Sequence, residues 1–112
     1  MQSEITYNIK AFITLLPTEK GGRKKPVFSG YKPSLIFNTH KHYSGEIELI
    51  EIKELKPGQS AMALIKLLPA RTIRKNLQIN DSFTLSEGNK AVGNGIIINE
   101  VVKKEVSVEE AL

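Results

Sequence analysis

The chain has 112 residues, a formal net charge of +4 and no cysteine. This length suits one domain with a single hydrophobic core and is too short for two. The lack of cysteine excludes a disulfide framework and a thiolate metal site. No apolar run approaches the roughly 20 residues of a membrane span, and the N-terminus lacks the features of a signal peptide, so we expect a cytoplasmic protein with no membrane partner.

The first predicted element is a long strand with one buried face. Apolar side chains alternate with polar ones over residues 5–15, which is the period of a half-buried strand. Phe12 and Leu16 interrupt the polar side of this pattern. We therefore expect leftover apolar surface at Phe12, Leu16, Leu67 and Leu68. A second copy of the chain, as a homodimer, is the favoured cover for it, and the alternatives are the tail after Val102 or a partner protein.

A basic loop is predicted next, over residues 21–30. Two glycines free the backbone to turn, and three consecutive cations follow them, Arg23, Lys24 and Lys25. A second basic cluster includes Arg71. Two such clusters on one small domain indicate an acidic partner, although lysine-rich loops also serve simply to keep a small protein soluble.

Five further strands are predicted along the rest of the chain. Polar or glycine-containing turns separate them, and they cover residues 33–38, 45–53, 61–68, 82–86 and 91–102. No helix-length periodic segment lies between them. The sequence therefore predicts an all-β domain, a small closed six-stranded antiparallel β-barrel over residues 1–102. The tail, residues 103–112, is expected to fray or to form a short helix.

Gly93 and Gly95 stand inside the last predicted strand. A glycine in mid-strand costs stability, so it usually marks a bulge or the close approach of another backbone. We interpret both glycines as corners of the barrel. A dinucleotide fingerprint is disfavoured, because its third glycine is missing and a strand follows in place of a helix.

No motif carries catalytic chemistry. A phosphate-binding P-loop and a nucleophile elbow are both absent from the sequence, so we expect no GTPase, no other enzyme activity and no cofactor. His40 and His42 have the spacing of two metal ligands on one face of a strand. Because no third ligand type lies nearby in sequence, an exposed pair in a turn is the favoured interpretation and no metal site is predicted.

Many positions, in one order along the chain, carry a resemblance to a known domain. They are Gly21-Gly22-Arg23, Pro26, Phe28, Gly30-Tyr31, Pro33, Gly45, Ile47-Glu48-Leu49, Pro57-Gly58, Pro69, Phe83, Glu87-Gly88, Val92-Gly93 and Gly95. From about residue 9 to residue 102 the chain resembles the third, C-terminal β-barrel domain of bacterial elongation factor Tu. The resemblance implies that fold and a role in translation. In the family this domain packs beside a second barrel and contacts the T-stem backbone of aminoacyl-tRNA and part of the nucleotide exchange factor.

The resemblance also implies binding residues. Arg23 matches the arginine of the family's phosphate-contacting loop, Lys24 stands where the family often has histidine, and Lys25 lies beside them. Glu87-Gly88 matches a turn that lies against the RNA backbone. Arg71 would add a positioning cation. Ser34 and Ser44 stand where the family has glutamine and threonine, and their hydroxyls can still bond a phosphate.

Two departures remove contacts that the family makes with RNA. Ser86 stands where the family has an arginine, and the segment of residues 70–76 differs from the family altogether. A lost amide or cation removes a contact that contributes about one to a few kcal/mol.

Two kinds of partner therefore fit the sequence equally well. The first is tRNA or another RNA, whose backbone the basic loops would contact, and steep salt dependence would identify it. The second is a protein, toward which the chain would act as an interaction module or a decoy that mimics elongation factor Tu. A stoichiometric complex that survives salt would identify the protein partner.

Overall fold

The structure is a computed structural model that describes residues 2–37, 42–67, 77–99 and 102–108. Within them lie nine strands and one short 3-10 helix at Thr18–Lys20. The strands are β1 (Gln2–Leu15), β2 (Val27–Phe28), β3 (Ser34–Ile36), β4 (His42–Leu49), β5 (Glu54–Leu55), β6 (Ser60–Leu67), β7 (Ser82–Glu87), β8 (Lys90–Ile97) and β9 (Val102–Val108). No helix in the described ranges is long and apolar enough to cross a bilayer.

Six of these strands close into an antiparallel barrel. The order runs β1, β6, β4, β3, β7 and β8, and β8 pairs again with β1. The period-two pattern turns one face of each strand inward, where the core is built from aliphatic side chains. On the two longest neighbours these are Ile9, Ala11, Ile13, Leu15, Ala61, Ala63, Ile65 and Leu67. The predicted closed six-stranded barrel is confirmed.

Gly93 and Gly95 serve close packing inside the barrel. β8 runs through both positions, and its register with β7 shifts beside Gly93, between Leu85 and Ser86. Gly93 lies against the carbonyl oxygen of Thr14, and Gly95 lies under the ring of Phe83, where a Cβ atom would collide in each case. Both glycines therefore mark the close approach of a neighbour, one of the two reasons expected for a glycine in mid-strand, and their role as corners stays a prediction.

The last part of the chain also differs from the prediction. β8 ends at Ile97, and a separate strand, β9, occupies residues 102–108, where we expected a frayed or helical tail. β9 pairs with the first half of β1, from Gln2 to Asn8. The physical reason is that β1 extends beyond its partners β6 and β8, which leaves backbone groups that an additional strand can satisfy.

The strand directions place the loops at two ends of the barrel. One end, which we call the basic end, holds residues 16–33, residues 50–59 and the β7–β8 turn. Backbone hydrogen bonds join these segments, including Leu16 N–H to the Val92 carbonyl at 3.0 Å and Gly58 N–H to the Leu15 carbonyl at 3.0 Å. The opposite end holds the end of β6 and the start of β7.

Candidate binding site at the basic end

The basic loop has a defined backbone path. The 3-10 helix Thr18–Lys20 ends at Gly21, whose φ of 91° favours glycine, and the N–H of Gly22 bonds to the carbonyl of Pro17 at 3.0 Å. A Cβ atom on Gly22 would collide with backbone of residues 16 and 17. The hydroxyl of Thr18 then donates to the carbonyl of Arg23. The paired glycines therefore fold the chain back so that Arg23 follows at a fixed place.

Arg23 joins the basic loop to the hairpin of β7 and β8. One terminal nitrogen of its guanidinium forms an ion pair with Oε2 of Glu87, and its Nε donates to the carbonyl of Lys25 at 3.2 Å. The guanidinium also lies over the ring of Tyr31, 5.1 Å from the centroid, which is a cation–π distance. Arg23 is 23% exposed and Glu87 37%, so water screens this pair only in part.

Tyr31, which belongs to a third segment, joins Arg23 and Glu87 in one network of contacts. Its hydroxyl donates to the same Oε2 of Glu87 that accepts from Arg23. Two backbone hydrogen bonds of 2.8 Å fix this segment to β4, one from Gly30 N–H to the Ile47 carbonyl and one from Ile47 N–H to the Tyr31 carbonyl. Burial, together with the hydrogen bond and negative charge of Glu87, holds the pKa of Tyr31 well above its usual range. The phenol therefore remains a neutral donor.

Ser86 has a structural position in the hairpin. The side chain is 3% exposed, and its hydroxyl lies 2.9 Å from the carbonyl oxygen of Gly88 and 3.1 Å from that of Lys90. The register of β7 and β8 shifts between Leu85 and Ser86, so the serine turns inward at the point where the family has an arginine. This hydroxyl bonds within the hairpin and does not face outward.

The predicted binding residues are brought together only in part. Arg23 and Glu87 are in contact, and Lys24, Lys25 and Gly88 are exposed beside them at the basic end. These positions form one continuous end of the barrel, because the Arg23–Glu87 ion pair holds the loop against the hairpin.

The remaining predicted residues lie elsewhere. Ser34 is half-buried on β3, between Ser44 and Ser86 in register, and Ser44 is exposed on β4. Arg71 lies outside the described residues. His42 is exposed on β4, and His40 is outside the described residues. The described ranges contain no cluster of three metal-ligating side chains.

The predicted apolar surface is also partly different. Phe12 is 41% exposed, as expected, and Leu16 is half-buried. Leu67, in contrast, is fully buried, because the alternation along β6 turns it toward the core, so its prediction as surface is wrong. Leu68 lies outside the described residues.

Tyr31 and Phe28 are the features of this end that sequence reasoning missed. Tyr31 meets Glu87 across 56 positions of sequence, so no local spacing reveals the pair. Phe28 is 56% exposed on β2, in the segment that the sequence predicts as the basic loop. β2 is only two residues long, with Val27 buried and Phe28 turned outward.

A comparison with protein families finds a match for this chain. The family model described as the elongation factor Tu C-terminal domain matches residues 3–101. The match covers the whole barrel, including the basic loop and the β7–β8 hairpin.

Proposed function

The chain belongs to the elongation factor Tu C-terminal domain family, and on that premise we propose that it is a non-catalytic module that binds the backbone of tRNA or another structured RNA through its basic end. The observation that carries the proposal is the network of Arg23, Tyr31 and Glu87. It fixes a loop with two exposed lysines beside an exposed hairpin turn.

The charge of the basic end suits a polyanion. Residues 16–33 contain five cations and only one acid, Glu19. The four lysines among these cations are all exposed, at Lys20, Lys24, Lys25 and Lys32. Phosphate contacts of this kind supply affinity and position and carry no sequence information, so we expect no base specificity.

The cations have different roles in this proposal. Arg23 is a positioning residue, because Glu87 already compensates much of its charge and its Nε is bonded to the loop itself. Lys24 and Lys25 carry the direct phosphate contacts. Ser34 and Ser44 stay secondary candidates, since they lie on strands beside the hairpin.

A second candidate function is a protein-interaction module directed at a partner of elongation factor Tu. The exposed ring of Phe28 favours it, because a large apolar side chain beside charged loops is typical of a protein interface. The same ring could stack on an unpaired base, so Phe28 alone does not distinguish the partners. Either function belongs to the cytoplasm, where translation takes place.

Salt dependence of RNA binding tests the proposal. We expect log affinity for tRNA to fall linearly with log salt, with a slope of roughly 0.7–0.9 per phosphate contact. Lys24→Ala and Lys25→Ala should each lower this slope by about one unit or slightly less. Lys66→Ala, on the outer side of β6, is the matched control and should leave both affinity and slope unchanged.

Two outcomes would contradict the RNA function. One is a protein that retains no tRNA on a filter at low salt. The other is an equal loss from the Lys25→Ala and Lys66→Ala variants, which would show non-specific attraction in place of a site. A salt-resistant protein complex that Phe28→Ser disrupts would support the second candidate function instead.

A further inference from the structure

Three neighbouring strands carry an outward surface that is separate from the basic end. β6 lies in the middle of this surface, with β1 on one side and β4 on the other. We call it the β6 face, and it consists of Lys10, Phe12, Glu48, Ile50, Met62 and Leu64, none of which is buried.

An apolar row crosses the β6 face. Phe12 lies opposite Met62 in register, and the N–H of Ile50 bonds to the carbonyl of Met62 at 3.1 Å. Leu64, the next outward residue of β6, is 45% exposed, and Phe12 is 41% exposed. Large apolar side chains on three adjacent strands form a contiguous patch of the kind that marks an interaction surface.

Opposite charges stand on the two sides of Leu64. In register, Lys10 of β1 lies directly opposite Leu64 on one side, and Glu48 of β4 lies directly opposite it on the other. Directly opposed Cβ atoms are about 5 Å apart, so Lys10 and Glu48 are separated by roughly 10 Å across β6. The positive charge of Lys10 and the negative charge of Glu48 therefore lie on opposite sides of the apolar Leu64, and the two side chains do not meet within one chain.

We propose that the β6 face is the interface of a twofold-symmetric homodimer. With the twofold axis parallel to β6 through Leu64, Lys10 of one protomer meets Glu48 of the partner subunit, and this contact occurs twice. Leu64 then meets its own copy, and Phe12 meets Ile50 of the partner subunit. An interface between identical surfaces must be self-complementary, and the contacts of Lys10 with Glu48, of Leu64 with its copy and of Phe12 with Ile50 satisfy that condition. Lys66, the next exposed residue of β6, would lie opposite its own copy, so the two Lys10–Glu48 contacts must outweigh this repulsion.

The area that such an interface needs is a small part of the molecular surface. A standard interface covers about 800 Å² on each partner, which is about a tenth of the 7480 Å² surface of this chain. The basic loop lies at the end of the barrel and not on the side of β6, so dimer formation leaves both basic ends accessible. The proposal does not depend on whether RNA is the partner of those ends.

Sedimentation equilibrium with charge-reversed variants tests the interface. The wild-type chain should form a dimer as its concentration rises. Lys10→Glu and Glu48→Lys should each weaken self-association about tenfold or more, because each replaces two attractive contacts with two repulsive ones. An equimolar mixture of the two variants should restore association, since opposite charges then meet at both contacts of the mixed dimer.

Controls separate this result from a general effect of charge. The chain that carries both Lys10→Glu and Glu48→Lys should associate like the wild type, because its charges are exchanged but still complementary. Thr84 faces outward on β7, the strand opposite β6 in the ring of six strands. The variant Thr84→Lys should therefore leave self-association unchanged.

Several outcomes would overturn the proposal. A wild-type chain that stays monomeric at millimolar concentration would do so. Single charge-reversed variants that associate like the wild type would also overturn the proposal. A mixture of the two variants that associates no better than either one alone would do the same. Leu64→Lys should abolish the dimer, and circular dichroism of this variant shows whether its barrel is intact. If it does not fold, the mixture experiment decides, because both of its substitutions are on the outer surface.

Discussion

The basic end and the β6 face hold their side chains in different ways. At the basic end, Arg23, Tyr31 and Glu87 come from segments as far as 64 residues apart and fix one another through shared contacts. On the β6 face, strand register alone sets the spacing of Lys10, Leu64 and Glu48. A mutation in the network of Arg23, Tyr31 and Glu87 should therefore disturb folding and binding together, whereas a mutation on the β6 face should change association alone.

Reversing the exposed loop charges should have the largest effect. A chain with Lys24→Glu and Lys25→Glu should lose about 100-fold or more in affinity for tRNA at low salt, since two attractive phosphate contacts become repulsive. Its self-association should equal that of the wild type. Leu64→Lys should give the reverse pattern, with tRNA binding kept and the dimer lost. Filter binding and sedimentation of both variants measure this, and a variant that loses both properties would show that the two regions are not independent.

Removal of the shared carboxylate should have the next largest effect. Glu87→Ala leaves the partly buried Arg23 and Tyr31 without their common acceptor, so we expect the free energy of unfolding to fall by about 1–3 kcal/mol. Glu48→Ala, at an exposed glutamate on the β6 face, is the matched control, and at a concentration where the chain is monomeric it should change the free energy of unfolding by less than about 0.5 kcal/mol. Urea denaturation of both variants gives the comparison. Equal effects would mean that the network does not stabilise the basic end.

The smallest expected effect concerns Tyr31 and pH. The pKa of Tyr31 is raised in the folded chain, so the unfolded chain loses its phenolic proton first as pH rises. The stability that Tyr31 contributes should be complete below about pH 10, the ordinary tyrosine pKa, and should be lost progressively above it. Tyr31→Phe should cost about 1 kcal/mol at neutral pH and should reduce the loss above pH 10. Urea midpoints at several pH values test this, and identical alkaline profiles for both chains would contradict it.

The barrel could be predicted from sequence because its signal is local. Alternation along residues 5–15 and the glycine-containing turns indicate half-buried strands, and six such strands close without a free edge. The structure differs from the prediction where strand pairing depends on segments that are distant in sequence. β9 pairs with the opposite end of the chain, and Leu67 is assigned to the core only by the register of β6.

The positive charge of the site could be predicted from the sequence, but the contacts between its side chains could not. The run of Arg23, Lys24 and Lys25 indicates a basic loop, but nothing in the run shows that Arg23 is paired while its neighbours are exposed. The acceptor, Glu87, and the second donor, Tyr31, follow from the closure of the barrel. The β6 face could not be recognised from the sequence either, because Lys10 and Glu48 are brought near each other only by their pairing with β6, the strand that lies between them.

A titration of the labelled chain with a short RNA duplex, followed by amide chemical shifts, tests the central claim most directly. The measurement is made at low salt and at a protein concentration where the dimer is already saturated. We expect the largest shift changes at the amides of Lys24, Lys25 and Gly88, with the amide shifts of Met62 and Leu64 unchanged. Shift changes centred on the β6 face, or none anywhere at millimolar RNA, would contradict it.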